Sequence, residues 1–351
     1  MKPDLNQQCP ECDAAAAPEI SRRDFFRVTG GLTAGALACD LAPALAQNPK
    51  PPATALAPPT AEALVRELHT GLNDWQRRHV IYPWNHLGSD GSRIPVRLRT
   101  YNTCIGKAIG ETYTRAQREV IERILRSMTS GDDGYRQITR NGSWDSNDGI
   151  LSGGAYIFGD PTTNQFCFLF AGHHLTVRCD GDSEPNVPFG GPIFHGHIVD
   201  GYSQRNVFNY QTRSALAVFE ALTENQRRQA LVRGRPSEAG NGTNPYGLRG
   251  RGDAMPGIRG RDLTAEQRRL LDNVMRTILS PYRRADVDEV MDIVRANGGL
   301  ENIHLAFYEN AGGGAAQPWT YWRLEGPGFV WCFRVLPHVH TFVNIRKLPK
   351  A

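Results

Sequence analysis

Phe166-Cys167-Phe168-Leu169-Phe170-Ala171, running into Gly172-His173-His174-Leu175, is the stretch from which the fold is read. A short, aromatic-rich apolar run closed by a glycine has the length and composition of a buried strand, not of a helix. Ala155-Tyr156-Ile157-Phe158 precedes it as a second strand, turned by Gly159-Asp160-Pro161, and Thr176 to Cys179 follows as a third. The C-terminus has the same texture. Ile303 to Tyr308, Thr320 to Leu324, Phe329 to Leu336 and Val339 to Ile345 read as an antiparallel meander, with Gly326-Pro327-Gly328 turning its central pair.

Between and before these runs the period changes to that of helices. Thr60 has the character of an N-cap for a helix from about Ala61 to His79, with Leu64, Val65, Leu68 and Leu72 on one face. Thr114 opens another, striped by Val120, Ile121, Ile124, Leu125 and Met128 and ended by Gly131-Asp132-Asp133-Gly134. Further helices are expected from roughly Thr212 to Val232, from Thr264 to Leu279 and from about Ala285 to Ala296. Helices grouped apart from strands predict an α+β domain over 61–351, with N-terminal and central helices and an antiparallel sheet. No tandem repeat is visible. The Gly/Pro-rich segment Pro188 to His197 and the Gly/Arg-rich residues 233–262 read as surface loops.

The N-terminus reads as an address. Ser21-Arg22-Arg23-Asp24-Phe25-Phe26-Arg27 precedes a short Gly/Ala-rich apolar core, the pattern of a twin-arginine export signal. The core is too short and too weakly apolar for a membrane span of about 20 residues. Ala44-Leu45-Ala46 offers a cleavage site, giving a signal over 1–46, and five prolines in residues 48–60 mark 47–60 as a linker. Cys39 after Ala36-Leu37-Ala38 is the alternative, a lipoprotein anchor. The expected partner is the twin-arginine translocation machinery, and the expected location is periplasmic or extracellular. Cys9-Pro10-Glu11-Cys12 lies in the part that would be removed.

A formal charge of +4 over 351 residues is mild and does not point to nucleic acid. Cys104, Cys167, Cys179 and Cys332 would remain after processing. An oxidising compartment permits a Cys167–Cys179 bridge across the double histidine, while buried free thiols are the other reading.

The order of these pieces resembles a family of secreted bacterial and fungal proteins labelled domain of unknown function 3500. The resemblance rests on Phe158-Gly159-Asp160-Pro161, Gly172-His173-His174-Leu175, Pro192-Ile193-Phe194-His195-Gly196, Tyr321-Trp322-Arg323-Leu324-Glu325-Gly326-Pro327 and His338-Val339-His340. It spans roughly residues 62–345 and implies one fold unit with a shared site at the histidine motifs. One departure is that Val330-Trp331-Cys332-Phe333 stands where the family pattern has an acidic residue. His197 also lies outside that pattern.

Six of the ten histidines fall in three clusters: His173/His174, His195/His197 and His338/His340. Neutral imidazole is the commonest metal ligand, and a catalytic centre offers three protein ligands and an open position. His338 and His340, two apart on a strand, share a face. His173 and His174, being adjacent, are sent to opposite faces by a regular strand, so one of them joins the pair. His195 is the reserve ligand. Zinc or copper suits all-imidazole ligation, and iron would require a carboxylate from Asp180 or Glu301. Arg323 either receives an anionic substrate or pairs with Glu325. The chain has no G-x-S-x-G elbow, H-E-x-x-H, P-loop or G-x-G-x-x-G after a strand. The expectation is an exported metal-dependent enzyme acting on a small molecule, hydrolytic with zinc or oxidoreductive with copper or iron. The alternatives are a non-catalytic metal- or small-molecule-binding protein and a structural protein with no metal.

Overall fold

The computed structural model describes residues 59–350, apart from 164, 235, 237–246 and 311–312. The export signal, the linker up to residue 58 and Cys39 therefore lie outside the described residues. Pro59–Ala351 forms one compact unit.

The described helices, in chain order, are α1 (Ala61–Thr70), α2 (Asp74–Val80), α3 (Ile109–Thr112), α4 (Arg115–Ser127), α5 (Asp132–Ile138), α6 (Asn209–Ala221), α7 (Glu224–Ala230), α8 (Ala265–Leu279) and α9 (Arg284–Ala296). The strands are β1 (Ile81–Tyr82), β2 (Gly154–Asp160), β3 (Gln165–Gly172), β4 (Leu175–Cys179), β5 (Ile193–His197), β6 (Leu231–Val232), β7 (Ile258–Arg259), β8 (His304–Glu309), β9 (Trp319–Gly326), β10 (Phe329–Arg334) and β11 (Val339–Ile345). All belong to one sheet in the order β1-β2-β3-β4-β5-β11-β10-β9-β8-β6, with β7 also on β8. It is antiparallel except where the two-residue strands β1 and β6 run parallel to β2 and β8. The α+β reading holds.

Register sorts the sheet's faces, because directly paired residues point the same way. Phe168, Phe170, Leu175, His195, Thr341, Phe333, Trp322 and Phe307 share the face that meets the helices. There Phe307 packs on Phe219 of α6, and His195 on Phe208 and Tyr282. The opposite face carries a smaller apolar cluster of Phe194, Ala306, Tyr308, Tyr321, Val330, Cys332 and Phe342, together with most of the sheet's polar side chains.

The sheet order reads the same from both ends, and the helices follow suit. Asn73 and Thr114 cap α2 and α4 in capping boxes with Gln76 and Gln117, and Thr223 and Thr264 do the same for α7 and α8 with Gln226 and Gln267. Gln76 and Gln117 bond each other at 2.7 and 3.1 Å, and Gln226 and Gln267, each 150 positions later, do so at 3.0 and 2.8 Å. Gln117 also reaches the carbonyl of Gly71, as Gln267 reaches that of Ala221. Arg118 donates to the carbonyls of Tyr113 and Gly110, and Arg268 to those of Leu263 and Gly260. The unit is two repeats joined across the antiparallel pair β5·β11. The expectation of no repeat is corrected.

Four features differ from expectation. The helix expected over 61–79 breaks at Gly71, because Asn73 caps a new helix. The one expected over 212–232 breaks in the same place of its repeat, where Thr223 caps α7. Asp132 and Asp133 begin α5 instead of ending its predecessor, placing two carboxylates at a helix N-terminus. Most consequentially, Ile193–His197 is not a surface loop. It is β5, buried throughout, and it carries the junction between the repeats.

Cys104, Cys167 and Cys179 are free thiols. Phe168 is the partner of Cys179, so Cys167 and Cys179 face opposite sides of the sheet and cannot bridge. The free-thiol reading stands. Among the described residues no helix is long and apolar enough to cross a membrane.

Candidate metal centre

His173 and His174 form the turn of the β3–β4 hairpin, whose last pair is Gly172 with Leu175. His174 adopts a left-handed conformation, φ +54°. Strand alternation therefore does not apply to them. The turn stacks the two rings at 4.0 Å instead of sending them to opposite faces. A buried guanidinium fixes this turn. Arg140 donates to the carbonyl of His173 at 2.7 Å and to that of His174 at 3.3 Å, and also to Ile138. Asn102 accepts the amide N–H of His174 at 2.7 Å.

From the turn, one row crosses the sheet on the face away from the helices. The N–H of Gly196 bonds the carbonyl of His174 at 3.0 Å. Gly196 pairs with His340, His340 with Arg334, Arg334 with Tyr321 and Tyr321 with Tyr308. A glycine is required at 196. A Cβ there would collide with the carbonyl of Val339 and come within 3.1 Å of the His174 ring. His338 stands just before β11 and turns back onto His340.

The three rings close into a triangle. Centroids lie 5.0 Å apart for His174–His338, 5.1 Å for His174–His340 and 4.7 Å for His338–His340. One nitrogen from each ring lies within 4.8 Å of the others, and all three residues are buried. Imidazoles bonded to one tetrahedral ion at 2.0–2.1 Å have nitrogens about 3.3 Å apart. The Nε2 atoms of His338 and His340, at 3.0 Å, already have that spacing. His173 is outside this group.

Asp145 orients the triangle. Its Oδ2 lies 2.7 Å from His174 Nδ1, accepts the N–H of Ile198 at 3.1 Å and stands 3.4 Å from Arg140 Nε. Burial raises its pKa, but the His174 hydrogen bond and the charge of Arg140 outweigh that and hold it at about 2. With Nδ1 engaged, His174 presents Nε2 to His338 and His340. Burial pushes the His174 pKa well below its ordinary value against the pull of Asp145, so the ring is neutral, the form that binds metals. A carboxylate on the far nitrogen of a histidine is the usual outer support of a metal ligand. The backbone carbonyl of Asp145 lies 2.6 Å from His173 Nδ1, so one residue holds both stacked rings. Arg334 donates to the carbonyl of His338 at 3.0 Å, and its Nη2 lies 2.8 Å from His338 Nε2.

The family model described as Protein of unknown function (DUF3500) matches residues 60–347. The chain belongs to that family. No curated protein and no solved structure matches it.

Other expected residues of this DUF3500 chain lie elsewhere. His195 is on the helix face, where Nδ1 meets the Tyr282 hydroxyl at 3.1 Å and Nε2 meets Gln211 Oε1 at 3.3 Å. Both ring nitrogens are engaged, so the reserve ligand is structural. His197 accepts the N–H of Val207 and stands 3.8 Å from Asp145. Asp180 lines a separate cavity of about 200 Å³ with Glu62, Cys179 and Glu289, and Glu301 is exposed. Neither carboxylate reaches the histidines. Arg323 pairs with Glu325 at 2.5 Å. Sequence reasoning missed Asp145, Arg140, Asn102 and Arg334. The first three come from loops of no regular period, and Arg334 was legible only as the in-register neighbour of His340.

Proposed function

We propose that this chain is an exported metal-dependent enzyme whose His174, His338 and His340 hold one divalent ion, zinc or copper. The observation that carries the reading is the convergence of three buried imidazoles, one oriented by Asp145. Three nitrogen ligands leave a fourth position for water, and zinc lowers the pKa of bound water to about 7. Hydrolysis of a small molecule is the favoured reaction, and copper would support oxidoreduction instead. Iron fits less well, because the nearby carboxylate already serves His174. Export through the twin-arginine machinery into the periplasm or beyond suits a chain folded around its metal before transport. The motif around Arg22-Arg23 supports that route.

A second reading, a non-catalytic metal- or small-molecule-binding protein, is favoured by burial: the three rings are only 0, 7 and 8% exposed. Metal analysis of the protein exported by its own signal, beside a His338→Ala/His340→Ala variant, tests the first reading. One equivalent of zinc or copper in the wild type and none in the variant is expected. Equal, substoichiometric metal in both contradicts it. A water ligand exchangeable for azide in the cobalt-substituted protein supports catalysis over closed binding.

A further inference from the structure

The loop that brings Asp145 to the histidines runs against backbone preference. Arg140, Asn141, Trp144 and Asp145 all have left-handed φ, between +49° and +58°. For a residue as bulky as Trp144 this conformation is an outlier that its surroundings must enforce. The N–H of Asn141 donates to the carbonyl of Arg136 at 2.7 Å, and that of Trp144 to Thr139 at 2.9 Å, which ties the loop to the end of α5. Its apolar anchor is the Trp144 ring, 8% exposed, 5.6 Å from Phe170 of β3 and 6.5 Å from Tyr135 of α5. Phe170 in turn lies against Gly172, where a Cβ would stand 3.1 Å from its ring. Trp144 is thus one ring removed from the turn that carries His173 and His174.

Asp145 offers its carboxylate to His174 at 2.7 Å and its own carbonyl to His173 at 2.6 Å. Rotation about its N–Cα bond moves both groups together relative to Trp144. A return to the ordinary negative φ would therefore carry both groups off the rings or pull Trp144 away from Phe170 and Tyr135. The burial of one residue and the contacts of the next are a single constraint. We propose that Trp144 is a positioning residue of the metal centre: its buried ring holds the loop in the left-handed conformation that sets Asp145 on His174. The proposal rests on the metal reading above and deepens it, since metal affinity then depends on a side chain that touches no ligand.

The test compares zinc affinity, by competition with a chelating dye, in the full chain and in Trp144→Gly, Asp145→Asn and the double variant, each checked for folding by thermal melting. Glycine takes a left-handed φ at no steric cost, so Trp144→Gly removes the ring without adding backbone strain. Trp144→Leu, apolar but without the ring, carries the test if the glycine variant does not fold. Phe219→Ala, which removes a buried ring of α6 packed on Phe307, is the control for general loss of core packing. Trp144→Gly is expected to weaken zinc about 10- to 100-fold, as loss of an outer partner does, and to shift the visible spectrum of the cobalt-loaded protein as Asp145→Asn does. The control melts lower but keeps wild-type zinc affinity and spectrum. The double variant loses no more than the larger single effect, because Trp144 acts through Asp145. Wild-type zinc affinity in the folded glycine or leucine variant, or a double variant that loses the product of both single effects, overturns the proposal. Nitrogen NMR of the metal-free imidazoles separates this from the metal reading. It should show His174 protonated on Nδ1 in wild type and as mixed tautomers in the Trp144 variant. If wild type takes up no zinc, the metal reading fails by itself, and an unchanged His174 tautomer in the variant then overturns the positioning role as well.

Discussion

At the scale of single residues, the site depends on groups that the histidines themselves do not announce. Asp145 fixes which nitrogen of His174 faces inward. Asp145→Asn is expected to weaken zinc binding about 10- to 100-fold in competition with a chelating dye, as loss of such an outer partner typically does. The same carboxylate should mark the acid limb of stability. Its folded pKa of about 2 lies below the ordinary 3.8, so its contribution is present above 3.8 and lost as pH falls towards 2. The loss is about 2 kcal/mol, and denaturant midpoints of wild type and Asp145→Asn should converge over that window. His195 acts earlier. Burial lowers its pKa from 6.5 to about 4, so the unfolded chain takes the proton first and stability falls from pH 6.5 down to 4. His195→Gln should remove a decline of about 3 kcal/mol. An unchanged slope in that variant would show that His195 is not the group responsible. The sequence paired His338 with His340 on strand period, and the two rings do meet, but His338 lies in the bend before β11 and reaches His340 by turning back rather than by alternation. It left the choice between His173 and His174 open because the two form a turn, where side-chain direction follows φ and not alternation.

At the scale of elements, the long periodic helices and the C-terminal meander were legible, and the failures have one physical cause. Apolar periodicity survives a cap, so α1 and α2 read as one helix, as did α6 and α7. The breaks are made by Asn73 and Thr223, whose side chains accept the N–H of Gln76 and Gln226. β5 was missed because Gly196 and two histidines dilute its apolar signal, although the close approach of His174 is what demands the glycine. Gly196→Ala should destabilise the protein by about 1–3 kcal/mol through overpacking and displace His174, and urea denaturation with metal titration reads both effects. The glutamine pairs that lock the helices are equivalent. Gln117→Ala and Gln267→Ala should each cost about 1–3 kcal/mol, and a tenfold disparity between their effects on the folding equilibrium would contradict equivalent roles.

At the scale of the whole molecule, two repeats meet at β5·β11, and the histidine site lies on that seam. His174 comes from the first repeat and His338 and His340 from the second. The repeat was hidden because little of it survives as letters: Leu72-Asn73-Asp74-Trp75-Gln76-Arg77-Arg78 against Leu222-Thr223-Glu224-Asn225-Gln226-Arg227-Arg228 is the clearest remnant. Capping and glutamine bonds persist where core residues have drifted, because hydrogen-bond geometry admits fewer substitutes than apolar packing. The site itself is not duplicated. The turn matching His173-His174 is Pro327-Gly328, between Gly326 and Phe329. An ion bound as proposed would tie both repeats together, so zinc at 100 times its dissociation constant should stabilise the whole unit by about 2.7 kcal/mol in one cooperative transition. Zinc-edge X-ray absorption on the zinc-loaded full chain tests the central claim most directly. The account predicts one zinc with three imidazole nitrogens and one oxygen at about 2.0–2.1 Å, the imidazole signal falling in His340→Ala. A zinc shell of carboxylate oxygens alone, or one unchanged in His340→Ala, would contradict it.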